Sequence, residues 1–238
     1  LFYRSTSTSV ATVNFSNGLV TIRGTGTSVM SASNSASTNY QSASTNQTLT
    51  VNKALLMVTA SNVTRAYGQT NPSLPFSVTG FVYGETTNVL SSQPSTSTTA
   101  TTNSVPGSYP ITVSGGAAAN YSLTNIPGTL TVTNASQTIT FNSIPVKYLD
   151  EVSFTLNATA SSGLAVSYTS SNTNVATVSG STVTLKSVGI TTITASQAGD
   201  SNWSAAANVT QTLTVQPAID RGLIAYYPFD GNANDALG

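Results

Sequence analysis

Gln47-Thr48-Leu49-Thr50-Val51 returns as Gln211-Thr212-Leu213-Thr214-Val215, and Gly128-Thr129-Leu130-Thr131-Val132 lies between them, at spacings of 81 and 83 residues. Leu and Val alternate with Thr. One side of such a segment is apolar and the other hydroxylated, which is the period-two pattern of a half-buried β-strand. A strand repeated at near-equal spacing predicts successive domains of about one size, each closed by the same final strand.

The correspondence between the first and third units runs further. Val10-Ala11-Thr12-Val13 matches Val175-Ala176-Thr177-Val178, and Val20-Thr21-Ile22 matches Val183-Thr184-Leu185. Gly26 falls on Gly189, Met30 on Ile193, Ala32-Ser33 on Ala195-Ser196, and Tyr40 on Trp203. The turn that holds Asn14–Gly18, between Val13 and Val20, is two residues longer than its counterpart at Ser179–Thr182, between Val178 and Val183. Length change confined to a turn is what a kept β frame allows. With Tyr3 on Tyr168, unit one lacks the roughly 33 residues that precede Tyr168 in unit three. It is therefore expected to expose unpaired edges or apolar surface.

Unit three predicts seven short strands: Thr138–Phe141, Val152–Leu156, Val166–Tyr168, Val175–Val178, Thr182–Leu185, Thr191–Ala195 and Gln211–Val215. Turn signals at Ser162-Gly163, Ser171-Asn172, Ser179-Gly180 and Ala198-Gly199-Asp200 separate them, and the pattern suits a β-sandwich. The middle unit alternates over Leu55–Ala60 and Phe76–Val82, then breaks at Gly84-Glu85-Thr86, a turn or short helical start. The Thr-rich stretch 91–104 is a long loop or a weak edge strand, with Thr favouring the strand. A strand over Tyr109–Val113, a turn at Gly115-Gly116, and strands at Tyr121–Leu123 and Thr129–Val132 complete the unit. No segment carries a helical period.

Composition narrows the function. The 238 residues hold 7 Lys+Arg and 7 Asp+Glu, so the net charge is zero and charged residues are 6% of the chain, against about 25% in an average domain. No basic patch exists to neutralise phosphates, which argues against nucleic acid as a partner. There is no Cys and no His. Thiolate or imidazole metal sites and Ser-His-Asp triads are impossible within this chain. The 36 Ser and 41 Thr give a hydroxyl-rich surface, while 39% apolar residues still permit a packed core. A chain of this composition without cysteine reads as bacterial and exported. It starts at Leu1 without a charged, apolar leader and has no apolar run of about 18 residues to insert in a membrane. Both ends look cut from a longer polypeptide.

Units one and three resemble bacterial Ig-like domains. The motifs are Ser170-Ser171-Asn172 leading into Val175–Val178, Gly189 before Thr191–Ala195, and the terminal Gln-Thr-Leu-Thr-Val. The middle unit resembles an MBG domain of the Tyr-Gly-X type through Ala66-Tyr67-Gly68-Gln69, Asn71-Pro72, Phe76–Phe81, Gly84-Glu85-Thr86, Gly107–Ile111 and Asn120-Tyr121. Gly222–Asp235 is similar to the opening strand of laminin-G-like (concanavalin A-like) lectin domains. The resemblances imply an all-β array of tandem Ig-like sandwiches around a central MBG-type domain, either β-grasp-like or Ig-like, in a rod-like arrangement. The implied boundaries are 1–53 for a truncated Ig-like domain, 54–133 for the MBG-type domain, 134–216 for an Ig-like domain, and 217–238 for a linker and first laminin-G-like strand. They imply stalk and adhesion roles at an extracellular or bacterial cell surface, with glycan recognition in the lectin-like module.

Candidate chemistry is sparse. Asp150 and Glu151 are adjacent and point to opposite faces of an extended chain, so they read as solvated turn charges and not as a glycosidase pair. Asp200 reads as a turn stabiliser and Glu85 as a cap. Lys147 or Lys186 with Glu151 are the sets on which a Lys–Asn isopeptide cross-link could be built. Asp230-Gly-Asn-Ala-Asn-Asp235 departs from a calcium loop, and Asp220 with these two acids marks a composition shift. Trp203, Tyr40 and Tyr67 read as packing or turn residues. Asn62, Asn157 and Asn208 sit in Asn-X-Ser/Thr triplets that arise by chance at this composition. The expectation is a non-enzyme with no catalytic, metal or cofactor residues, no cofactor, and a monomeric state within a longer polypeptide. Its partners would be glycans or extracellular proteins reached through other modules. The alternatives are direct glycan or protein binding, with stretch 91–104 the place to look, or accessory domains of a secreted carbohydrate-active enzyme.

Overall fold

The computed structural model describes residues 1–218. The laminin-G-like stretch 222–235, with Asp220, Asp230 and Asp235, lies outside the described residues. The chain divides into two compact units. The first holds Leu1–Arg65, Thr70–Thr101 and Gly107–Thr131; the second holds, among the described residues, Ala66–Gln69, Thr102–Pro106 and the chain from Val132 to residue 218. The described residues are strands and turns, with one 3-10 turn at Thr87–Val89, so the protein is all-β.

The first unit opens with β1 (Phe2–Ser5), β2 (Ala11–Val13), β3 (Val20–Ile22), β4 (Gly26–Asn34) and β5 (Ala43–Val51). They form a β1-β4-β5 sheet and a β2-β3 hairpin. Then follow β6 (Ala54–Ala60), β7 (Val63–Ala66), β8 (Phe76–Thr79), β9 (Leu90–Thr98), β10 (Gly107–Ala118), β11 (Tyr121–Ile126) and β12 (Gly128–Thr133). Their sheets run β7-β12-β10-β9 and β11-β6-β8, with β11 parallel to β6. The alternation in β6 sorts its side chains: Leu56, Val58 and Ala60 are buried, while Leu55 and Met57 are exposed. Buried Leu56 packs with Leu90, Ala118 and Tyr121.

The second unit contains β13 (Ile139–Thr140), β14 (Lys147–Tyr148), β15 (Phe154–Thr155), β16 (Thr159–Ala160), β17 (Ser167–Ser170), β18 (Ala176–Ser179), β19 (Thr182–Leu185), β20 (Gly189–Ser196) and β21 (Val209–Gln216). Sheets β14-β21-β20-β17 and β15-β19-β18, with the pair β13-β16, enclose a core of Ile139, Phe141, Leu156, Val175, Ala176, Val183, Ile193, Ala195, Leu213 and Val215. Two-residue strands β14 and β16 were not expected from sequence. Each is too short to show an alternation.

The internal repeat holds to the register. Tyr3 pairs with Ala32 as Tyr168 pairs with Ala195. Gly26 pairs with Val51 as Gly189 pairs with Val215. Both glycines have positive φ, +131° and +149°, and a Cβ on either would lie 3.0 Å from Cγ2 of the matching valine, Val10 or Val175. Two residues after each glycine sits a buried hydroxyl. Ser28 Oγ accepts from the Ser7 N–H at 2.9 Å and bonds Ser5 Oγ at 2.8 Å. Thr191 Oγ1 accepts from the Asn172 N–H at 2.9 Å and bonds Ser170 Oγ at 2.8 Å. The hydroxyl ties the central strand to the start of the next turn. Replacing it with a methyl leaves a buried N–H without its acceptor. Thr191→Val is expected to lose about 1–3 kcal/mol and Thr191→Ser to lose much less, as read from urea midpoints.

The two copies differ in what covers them. In the second unit Tyr168 meets Phe141 edge-on at 5.7 Å. In the first, the longer turn folds back on Tyr3. Gly18, at φ +76°, lies so close that a Cβ would stand 3.1 Å from the Tyr3 ring. Leu213 and Val215 are fully buried, whereas Leu49 and Val51 are half-buried. Phe15, Leu19, Val20 and Ile22 are exposed, as expected for a copy without counterparts of residues 134–165.

One expectation changes and one alternative is resolved. Gly115 and Gly116, expected as a turn, lie inside β10 at φ +69° and +83°. The ladder to β9 keeps its register from Gly115–Pro94 to Ala117–Ser92 and shifts between Ala117 and Ala118, where Ala118 pairs with Leu90. The glycine pair thus continues a long strand at a close approach, where a Cβ on Gly116 would meet Leu123 at 2.7 Å and Pro94 at 3.0 Å. The Thr-rich stretch resolves in favour of a strand: residues 90–98 are the edge strand β9.

Candidate functional site

The first unit carries a cleft of about 590 Å3 built from chain ends that the strands deliver to one place. Ile22–Thr25 follow β3, Val51 and Asn52 end β5, Ala54 starts β6, Val82–Glu85 follow β8, and Asn120-Tyr121 start β11. Asn120 fastens two of these segments. Its side-chain oxygen accepts from the Thr25 N–H at 3.1 Å, and its backbone oxygen accepts from the Ala54 N–H at 3.0 Å. Gly24 passes too closely for a side chain, since a Cβ would meet Ser9 O at 2.9 Å and Asn120 Oδ1 at 3.3 Å. At the matching point of the second unit, Ser187 is tolerated.

Tyr121 anchors the other wall. Its ring is buried against Phe81, edge-on at 6.0 Å. Its hydroxyl accepts from the Val82 N–H at 3.2 Å and donates to the Glu85 carboxylate. That donation holds the phenol proton, and the pKa of Tyr121 is raised above the ordinary value, chiefly by the bond to Glu85 and next by burial. A raised folded-state pKa contributes stability that is complete below about pH 10 and is lost as pH climbs through the folded value. The decline in urea midpoint above pH 10 is expected to be shallower in Tyr121→Phe than in the unsubstituted chain.

Glu85 was expected to cap a helical turn. The turn at Thr87–Val89 has Thr86 at its N-cap with no side-chain cap bond, and Glu85 serves Tyr121 instead. Two residues before Glu85 stands Tyr83, at φ +56° and 87% exposed. Sequence reading passed over it. The signal was an aromatic residue directly before Gly84 in a turn.

The other sequence candidates are dispersed. Lys147 Nζ meets Glu151 Oε2 at 3.1 Å and lies 4.8 Å over the Phe154 ring, and Glu151 also accepts from the Tyr148 N–H. Glu151 is thus a half-buried, paired residue and not a solvated turn charge. Lys186 is exposed. Asp200 accepts from the Asn202 and Trp203 N–H groups, both at 2.8 Å, which is a turn role. Trp203 meets Tyr67 edge-on at 6.1 Å, whereas Tyr40 is 75% exposed. Asn62 accepts from the Thr129 N–H at 2.8 Å. Among the described residues no three His, Cys, Asp or Glu side chains gather as a metal group, and no helix is long and apolar enough to cross a membrane. A buried polar centre that sequence reading missed joins Arg65 to Asn71 Oδ1 at 2.7 Å and to the Thr101 carbonyl, while Asn71 donates to the Ala100 carbonyl at 2.7 Å.

Residues 56–131 match the family model described as "MBG domain (YGX type)". Residues 1–36 match the model "Intimin, immunoglobulin-like domain". No curated protein sequence matches the chain. Among solved structures, Drosophila N-cadherin EC1-4 is 11% identical over 90% of this chain and 67% of its own, with a TM-score of 0.28. Domains 4 and 5 of the S-layer protein SbsC are 18% identical over 61% of this chain and 86% of theirs, at 0.28. Sidekick-1 immunoglobulin domains 1-5 are 13% identical over 87% of this chain and 51% of theirs, at 0.32. Scores this low carry no argument about arrangement or activity.

Proposed function

We propose that the chain is a non-catalytic structural stretch of an extracellular or cell-surface protein, and that its domains space apart the modules they connect. The proposed boundaries fall at 53, 133 and 216, and the module beyond Gln216 is proposed to be a glycan-binding lectin-like domain. The observation that carries this reading is the form of the internal repeat. What is kept between the copies is the frame: the paired registers, Gly26 and Gly189, and the buried hydroxyls of Ser28 and Thr191. What changes lies outside that frame: Gly24 for Ser187, Arg23 for Lys186, Tyr40 for Trp203. Copying that preserves this frame and lets residues outside it drift is the mark of a scaffold. The matches of the first 36 residues and of 56–131 to Ig-like and MBG models support it. So does the junction between β5 and β6, where only Asn52 and Lys53 intervene.

The test is exchange. In the exported polypeptide that carries the chain, residues 134–216 are replaced by an unrelated sandwich of equal length, or deleted. Surface adhesion is expected to survive the exchange and to weaken on deletion. Loss of adhesion on exchange would show that these residues bind, and would overturn the spacer reading.

A further inference from the structure

Tyr83 is the non-glycine residue with positive φ among the described residues. A side chain in that conformation costs about 1–2 kcal/mol, and such strain persists where the surroundings impose it and function uses it. Here the surroundings do impose it. Gly80 (φ +102°) and Gly84 (φ +73°) bracket the turn, and the Glu85 N–H returns to the Val82 carbonyl at 3.0 Å. The Tyr83 ring gains little packing in exchange, being 87% exposed. The turn therefore holds an aromatic face out at the rim of the 590 Å3 cleft.

The rest of the rim is polar and balanced. Glu85 gives one carboxylate oxygen to Tyr121 and keeps further acceptor sites. Arg23 is exposed, and its guanidinium has no hydrogen bond among the described residues. Asn120 uses its side-chain oxygen on Thr25, which leaves its amide N–H donors for the cleft. A lining with one cation and one anion suits neither a phosphate nor a divalent metal, which needs several carboxylates. It suits a neutral ligand with alternating hydroxyl donors and acceptors and one apolar face to lay on a ring.

We propose that this cleft binds a neutral saccharide, stacked on Tyr83 and hydrogen-bonded by Glu85, Arg23 and Asn120. The residues that line it include none from the stretch 222–235 and none from the Thr-rich edge strand. It adds recognition to the spacer role and stands whether or not that role holds.

The test applies the full labelled chain to an array of neutral gluco-, manno-, galacto- and N-acetylglucosamine oligosaccharides. Retained sugars are then titrated by calorimetry. At least one sugar is expected to bind, with affinity falling at least tenfold in Tyr83→Ala and Glu85→Gln and unchanged in Tyr40→Ala, a comparably exposed tyrosine outside the cleft. Tyr83→Gly separates binding from folding, since it relieves the strained φ. It is expected to lose the sugar while unfolding at a urea concentration no lower than the unsubstituted chain. Retention of no sugar, or binding that survives Tyr83→Ala, overturns the proposal. A Tyr83→Gly chain that unfolds earlier assigns Tyr83 a structural role and also overturns it.

Discussion

Leu213→Ala is expected to destabilise the second unit by about 2–5 kcal/mol, the range for deleting a fully buried leucine. Leu213 is 0% exposed and sits in β21 between Ile193, Val183 and Val215 of the core. A domain of this size has a total stability of only about 5–15 kcal/mol, so the loss is a large part of the whole. The chain contains no cysteine, so no disulfide is present to limit the unfolded state. The internal repeat supplies the control. Leu49 holds the same place in the same five-residue motif, yet it is half-buried. Leu49→Ala removes the same atoms from a site that already meets water, so less transfer free energy is lost. It is expected to cost under half as much. Equal losses at the two positions, read from urea unfolding of the full chain, would mean that burial does not govern these strands.

Gly199→Ala is the second large effect, expected at about 2–5 kcal/mol from left-handed strain together with a backbone clash. Gly199 has φ +80°, and a Cβ there would lie 2.3 Å from Trp203 O and 2.8 Å from Ser204 C. Both contacts are main chain and have no rotamer by which to retreat. The turn also docks the start of the domain. The Ala135 N–H donates to Asn202 O, the Ser204 N–H donates to Ala135 O, and buried Gln137 bridges Gln197 Oε1 and Ser204 O at 2.6 and 2.7 Å. Opening the turn therefore releases residues 135–137 with it. Gly163, whose added Cβ meets nothing within 4 Å, is the comparison. Gly163→Ala should cost only its backbone strain.

Why these elements could be read, and others not, follows from the range of the forces. Some alternating strands declared themselves: Thr182–Leu185 was expected with the observed bounds, whereas Val63–Ala66 was not expected and Val152–Leu156 is paired only over Phe154–Thr155; the Gly26/Gly189 match survived to the contact with Val10 and Val175. The repeat was legible because Leu, Val and Gly at fixed spacing are dictated by the core. The strands Lys147–Tyr148 and Thr159–Ala160 were not legible, because two residues show no period and are placed only by partners far along the chain. Gly115-Gly116 was misread because a glycine pair marks positive φ in a turn and at a close approach inside a strand alike. The cleft was illegible for a related reason. Its residues come from five chain segments between Ile22 and Tyr121, and only folding brings Arg23 near Glu85. Ser28, Thr191 and Gln137 hid among the many Ser, Thr and Gln residues, of which few are buried. The sequence could not tell which hydroxyls would be lost to water.

The spacer reading is tested most directly by pulling on the chain. Its central claim is that residues 134–216 are a self-contained, folded length of polypeptide. Tethered through both ends and stretched, the full chain is expected to give a discrete unfolding event for these 83 residues. That event should release about 27–30 nm of contour, less the folded span. A smooth extension with no such step, as a disordered hydroxyl-rich stalk would give, would contradict the account.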